Sequence, residues 1–210
     1  MLIAGVDEAG RGPVIGPLVV AGVAIEEKNI KKLEELGVKD SKLLTPKRRE
    51  ELFSKIKELT EYKILIIPPQ EVDDAVNSAS MNLNWLEAVK YAMVINALNP
   101  DKAYVDCPSV NNKAFKEYME QFLKKKPELI VENKADLNYP IVGAASILAK
   151  VTRDREIKKL REKYGDFNSG YPSDPKTKEF LKKYHKKYPE IFRHSWSSYQ
   201  KLQDNQTKLI

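Results

Sequence analysis

A chain of 210 residues with 42% hydrophobic residues can bury one sizeable core and an appendage. Its 36 Lys and Arg against 30 Asp and Glu leave a mild net charge of +6, and one cysteine, Cys107, excludes an intramolecular disulfide framework. No apolar run approaches the ~20 residues that span a bilayer, so a transmembrane helix is excluded, and a reducing, cytoplasmic setting with no signal peptide is expected.

Leu2-Ile3-Ala4-Gly5-Val6 predicts a buried strand over 2–7 with Asp7 and Glu8 at its end. The turn from Gly10 to Pro17 is too short for a crossover helix, which predicts an antiparallel second strand over 18–25. A basic helical stretch over 28–36 follows. Thr45-Pro46 then reads as an N-cap with proline at the first position of a helix to residue 59. A third strand over 62–67 is ended by Pro68-Pro69. In a helix over 81–98, Leu83, Leu86, Val89, Met93 and Ala97 recur on one face and are expected to be core. Strands over 102–106 and 129–131 flank a helix over 112–124, an order that predicts parallel pairing. Pro140 opens a long helix to residue 163. There is no internal repeat and no low-complexity segment.

The chemistry is concentrated in acids. Asp7 and Glu8 offer hard oxygen ligands suited to Mg²⁺ or Mn²⁺, although such a pair taken alone reads first as a solvated strand end. Gly10-Arg11-Gly12 lets the backbone approach a ligand and adds a guanidinium that can fork onto phosphate. Asp106 ends the fourth strand, and if that strand lies parallel beside the first, its carboxylate falls next to Asp7. Asp136 sits four residues before Pro140, near the start of a helix, and alone also reads as a helix-start aspartate. Side chains of successive strand residues point to opposite faces. Asp7 and Glu8 can therefore share a pocket only if the strand twists or ends between them, or if one acts through its backbone carbonyl.

Asp7-Glu8-Ala9-Gly10-Arg11-Gly12-Pro13, then Gly16-Pro17 and Asp40-Ser41-Lys42, resemble ribonuclease HII, the type 2 ribonuclease H. Val105-Asp106-Cys107-Pro108, Ala135-Asp136-Leu137-Asn138-Tyr139-Pro140 running on through Lys150, and Ser169-Gly170-Tyr171-Pro172-Ser173-Asp174-Pro175 continue the likeness in order, most closely to the archaeal branch. The resemblance implies an α/β ribonuclease H-like fold: a five-stranded mixed sheet flanked by helices over 1–165, and a small helical C-terminal lobe over 166–210 that completes the substrate surface. It implies Asp7, Glu8, Asp106 and Asp136 as catalytic, metal-holding carboxylates, with Mg²⁺ or Mn²⁺ as cofactor and two ions during catalysis. Gly10, Arg11, Gly12, Lys42, Ser146, Lys150 and Tyr171 are implied on the substrate side. The implied substrates are RNA–DNA hybrid duplexes and DNA containing single ribonucleotides, cut to leave 5′-phosphate and 3′-hydroxyl ends. The enzyme is expected to be a monomer with no membrane partner.

The rest of the chain is less informative. The basic run 158–187 fits a phosphate-binding surface but also a solvated lysine-rich face. Cys107 is expected to be a small buried hydrophobe, and His185 and His194 to be exposed or helix-capping. The tail from Tyr199 lacks the paired aromatics of a sliding-clamp peptide. Two rivals stay open on sequence alone. One is another metal nuclease of the same fold, such as a junction resolvase, against which Gly10-Arg11-Gly12 and Tyr171 argue. The other is a noncatalytic nucleic-acid-binding module, against which the four intact acids argue.

Overall fold

A computed structural model describes residues 1–38 and 44–207, with side chains as far as 203. By compactness the chain divides into two units. The first comprises Met1–Ala9, Val19–Ile66 and Asn84–Thr152; the second comprises Gly10–Leu18, Ile67–Leu83 and Arg153–Ile210. Residues 10–18, 67–83 and the end of the long helix thus group with the C-terminal segment.

The first unit is built on a five-stranded sheet in the order β3-β2-β1-β4-β5, from β1 (Leu2–Ala9), β2 (Leu18–Glu26), β3 (Glu61–Ile67), β4 (Lys102–Asp106) and β5 (Glu128–Glu132). β1 pairs antiparallel with β2 up to Ala9↔Val19, and parallel with β4 up to Val6↔Val105. β4 and β5 are parallel, as the strand-helix-strand order predicts. Ile3 and Ala9 on one face of β1 share a buried core with Leu33 of α1 (Ile30–Leu36), Leu52 and Ile56 of α2 (Pro46–Leu59), and the Ala-rich start of α7 (Pro140–Tyr164). Gly5 is required there: a Cβ on it would sit 2.4 Å from the Ile141 carbonyl carbon, so only glycine lets this helix lie on the strand. Thr45 caps α2, accepting from the Arg48 N–H at 3.2 Å, with Pro46 at the first position.

Three expectations need correction. The core stripe assigned to the 81–98 helix is misplaced: in α4 (Leu83–Leu98), Leu86, Ala88, Tyr91, Ala92, Val94, Ile95 and Leu98 are buried, whereas Met93 is 47% exposed. A helix apolar nearly all round has no sharp 3.6-residue signal, and packing selects the face. The stretch after Pro68 holds an unanticipated helix, α3 (Pro69–Asn77): Pro68 follows the strand as the N-cap, and Pro69 occupies the first helical position. The helix expected over 112–124 is the shorter α5 (Asn112–Glu120), capped by Asn111, whose side chain accepts from the Ala114 N–H.

The second unit packs Val14, Ile15, Phe167, Phe192 and Tyr199 around Phe180 and Leu181 of α8 (Pro175–Tyr184). Asp174 caps α8 through the N–H groups of Lys176 and Thr177. The last helix is α9 (Ser197–Thr207). No described helix is long and apolar enough to cross a membrane.

Candidate active site

Three carboxylates converge in the first unit. Asp7 of β1, Asp106 at the end of β4 and Asp136 of the short helix α6 (Ala135–Asn138) each offer an oxygen within 4.8 Å of the others. Since Val6 pairs with Val105, the next residue on each parallel strand emerges at the same sheet edge. Asp136 stands just before α7, near a helix start as expected, within its own turn of helix. That turn is anchored to β4, since Asp106 Oδ1 accepts from the Ala135 N–H at 2.9 Å. Asp7 and Asp136 are buried.

Glu8 does not join the three. β1 continues through Ala9 without a break, so Asp7 faces the α7 side with Ile3 and Ala9, and the Glu8 carboxylate points to the other face, where it accepts from the Tyr91 hydroxyl. Burial and the negative charges of Glu8, Asp7 and Glu87 push the Tyr91 phenol well above its usual range, so it stays a donor. Ser146 and Lys150, expected on the substrate side, lie beside the acids. Ser146 is fully buried and accepts from Lys150 Nζ at 2.7 Å, and both side chains favour ionised Asp7.

Gly10, Arg11, Gly12 and Tyr171 fall in the second unit. Gly10 takes φ +89°, and a Cβ there would meet the Pro17 carbonyl at 2.7 Å. Gly12 lies against the Tyr171 ring, at 3.4 Å from its would-be Cβ. The ring is 40% exposed and backed by the Arg153 guanidinium, 5.2 Å from its centroid. Arg153 in turn donates to the Ser169 carbonyl at 2.9 Å, and Asp174 binds the Ser169 hydroxyl, so the turn that carries Tyr171 is held at both ends. Lys42 lies outside the described residues. Cys107 is buried as expected. His185 is a C-cap but buried, not exposed, and His194 stacks on Tyr199 at 4.3 Å.

Sequence reasoning missed Arg193. Fully buried, it donates to the carbonyls of Gly10 (2.6 Å), Arg11 (2.9 Å) and Gly16 (3.2 Å), and Trp196 donates to the Gly12 carbonyl at 3.1 Å. No local pattern announces a partner 183 residues away.

The family model described as Ribonuclease HII matches residues 4–199. The chain belongs to the ribonuclease HII family. Among similar proteins, ribonuclease HII of Pyrococcus horikoshii is 51% identical over 97% of this chain and 94% of its own length. The crystal structure of ribonuclease H2 from P. horikoshii OT3 superposes with a TM-score of 0.90 at 50% identity, covering 99% of this chain and 100% of that one. A structure of the PCNA:RNase HII complex from Archaeoglobus fulgidus gives 0.86 at 44% identity, over 94% of this chain and 96% of that one. That relative was captured with PCNA, which does not fit the lack of a clear sliding-clamp motif in the tail of this chain.

The enzyme is thus a ribonuclease H, a metal-dependent hydrolase, and the acids fit a hard divalent cation. Burial above all, then the charges of Glu8 and Asp106, hold the Asp7 carboxyl well above its usual range, against the opposing help of Ser146 and Lys150. A carboxyl whose pKa rises on folding contributes stability that is fully present below its unfolded value and lost as pH rises through the folded one. Thermal melts in chelator are therefore expected to show this contribution fading as pH climbs from the ordinary carboxylate range. The gain in melting temperature from added Mg²⁺ should grow over the same interval, since the cation replaces the proton. A pH-independent Mg²⁺ gain would rule out Asp7 as a ligand.

Proposed function

We propose that this ribonuclease H hydrolyses the RNA strand of RNA–DNA hybrids and also cuts on the 5′ side of single ribonucleotides embedded in duplex DNA. The convergence of Asp7, Asp106 and Asp136 from three separate elements is the observation that carries the reading. Two divalent ions, Mg²⁺ or Mn²⁺, would activate a water and stabilise the leaving oxygen. Attack of that water on phosphorus displaces the 3′-oxygen of the preceding nucleotide, leaving a 3′-hydroxyl and a 5′-phosphate. Asp7, Asp106 and Asp136 would hold the metal through their carboxylates.

Glu8 takes part through its main chain. Its N–H donates to Asp7 Oδ1 at 2.7 Å and not across to β2. In an antiparallel ladder the N–H and C=O of one residue face the same side. The Glu8 carbonyl is therefore aimed toward β4 and Asp106, one of the arrangements in which neighbours on a strand can share a pocket. Tyr91 fixes the Glu8 side chain on the opposite face, where its charge still adds to the field at Asp7.

Discrimination of RNA from DNA requires a group that senses the 2′-hydroxyl. Gly10-Arg11-Gly12 offers backbone N–H groups for it, Arg11 a cation for the adjacent phosphate, and Tyr171 a ring for the neighbouring sugar. Incubation with a duplex bearing one ribonucleotide, beside an RNA–DNA hybrid and all-DNA and all-RNA duplexes, tests the whole reading. Cleavage is expected only where a ribonucleotide lies in a hybrid or in DNA, and only without chelator. Equal cutting of all-DNA duplex would instead indicate a general nuclease, and binding without cutting a noncatalytic module.

Affinity for hybrid duplex is expected to fall linearly in log–log form with salt, as counterion release requires. The slope should be shallower than the lysine count of the 158–187 region suggests. Lys158, Lys159, Arg161 and Lys176 are already paired with Glu162, Glu156 and Asp166. Replacing Lys182 and Lys183 in the last turn of α8 should flatten it further, whereas a salt-independent affinity would remove the basic run from the binding surface.

A further inference from the structure

We propose that Arg193 is a positioning residue for ribonucleotide selectivity: its buried guanidinium turns the carbonyls of the Gly10-Arg11-Gly12 loop inward, so that the loop presents its N–H groups outward to the ribonucleotide. The proposal rests on the reading of that loop given above and adds the group that sets its polarity. Guanidinium carries five N–H donors in a rigid fork. In this protein three of its nitrogens reach three carbonyls of one turn, Gly10, Arg11 and Gly16.

The C=O and N–H of a trans peptide point in opposite directions. With the Gly10 and Arg11 carbonyls turned onto Arg193, the N–H groups of Arg11 and Gly12, which belong to the same two peptides, face the other way. Trp196 holds the third carbonyl, that of Gly12, and the next residue is Pro13, which has no N–H to present. All three loop carbonyls are thus engaged, and two donors face away from Arg193. A full positive charge behind the two peptides polarises them and strengthens both donors.

The anchor is itself anchored. The Arg193 N–H donates to the Val14 carbonyl at 2.8 Å, its guanidinium lies over the Trp196 ring at 4.8 Å, and the following residues, His194 and Ser195, donate their N–H groups to the Asp73 carboxylate at 2.7 and 2.9 Å. A lysine cannot replace this arrangement, because one ammonium cannot span three carbonyls.

The test is the affinity, measured in chelator so that nothing is cut, for a duplex with one ribonucleotide relative to the same duplex with a deoxyribonucleotide there. Wild type is expected to prefer the ribonucleotide. Arg193→Lys should lose about tenfold of that preference, the size of one hydrogen bond to a charged group, while its salt slope stays near wild type because the net charge is unchanged. Trp196→Phe keeps the ring and removes the indole N–H, so a smaller loss in the same direction is expected; it serves if the arginine variant fails to fold. A structural role alone would weaken both duplexes equally and leave their ratio intact. A wild-type preference that survives both substitutions overturns the role of Arg193. A wild type with no preference overturns the reading of the loop itself.

Discussion

Asp7→Asn and Asp106→Asn are each expected to abolish cleavage while leaving the protein folded and, in chelator, more stable than wild type. Three carboxylates whose oxygens lie within 4.8 Å repel one another; at an effective dielectric of about 20, two full charges at such a distance cost on the order of 3 kcal/mol. Protonation of Asp7 relieves part of this, and burial above all, then the charges of Glu8 and Asp106, hold its carboxyl well above the usual range. Asparagine removes a charge but keeps an acceptor oxygen, so the bonds from the Glu8 N–H to residue 7 and from the Ala135 N–H to residue 106 can persist. The melting temperature without metal should rise, and the further rise on adding Mg²⁺ should shrink. Cleavage of a single-ribonucleotide duplex is the measurement that decides: turnover near wild type by either variant would remove that residue from the catalytic set.

The strand ends were legible because parallel neighbours share an edge, and an acid at the end of each strand is then a local pattern with a non-local consequence. Asp7 and Asp106 meet for that reason. The conflict between Asp7 and Glu8 was legible too, from the two-residue period of a strand, and the unbroken pairing of β1 through Ala9 leaves the main chain as the route by which Glu8 can contribute. Asp136 was placed just before Pro140, where it lies, but the short helix that carries it was not seen, because four residues are too few to show a period. Ser146 and Lys150 were correctly read as one helical turn apart. Their place beside Asp7 depends on how α7 lies on β1, which Gly5 makes possible and no periodicity reports. Arg193 and Asp73 were invisible: each acts on backbone groups of a distant segment, and a carbonyl leaves no mark in the sequence.

Tyr171→Ala is expected to slow cleavage at a single embedded ribonucleotide by about one to two powers of ten, and Tyr171→Phe by much less. The ring is partly exposed, yet its place is fixed from several sides: Gly12 lies against it, the Arg153 guanidinium backs it, and the Gly170 carbonyl accepts from the N–H groups of Val14 and Ile15. A ring held in this way is ready to stack on a sugar or base, a contact worth on the order of 1–3 kcal/mol. At about 1.4 kcal/mol per tenfold in rate, alanine forfeits the stated factor, while phenylalanine keeps the ring and loses only what the hydroxyl adds. The Mg²⁺-dependent gain in melting temperature should be unchanged in both variants, because Tyr171 supplies no anionic ligand, and this separates loss of substrate contact from loss of metal. Equal damage from Phe and Ala would move the function from the ring to the hydroxyl. Full activity in both would leave Tyr171 as a surface residue packed on its own turn, and ribonucleotide recognition would rest on the Gly10-Arg11-Gly12 backbone alone.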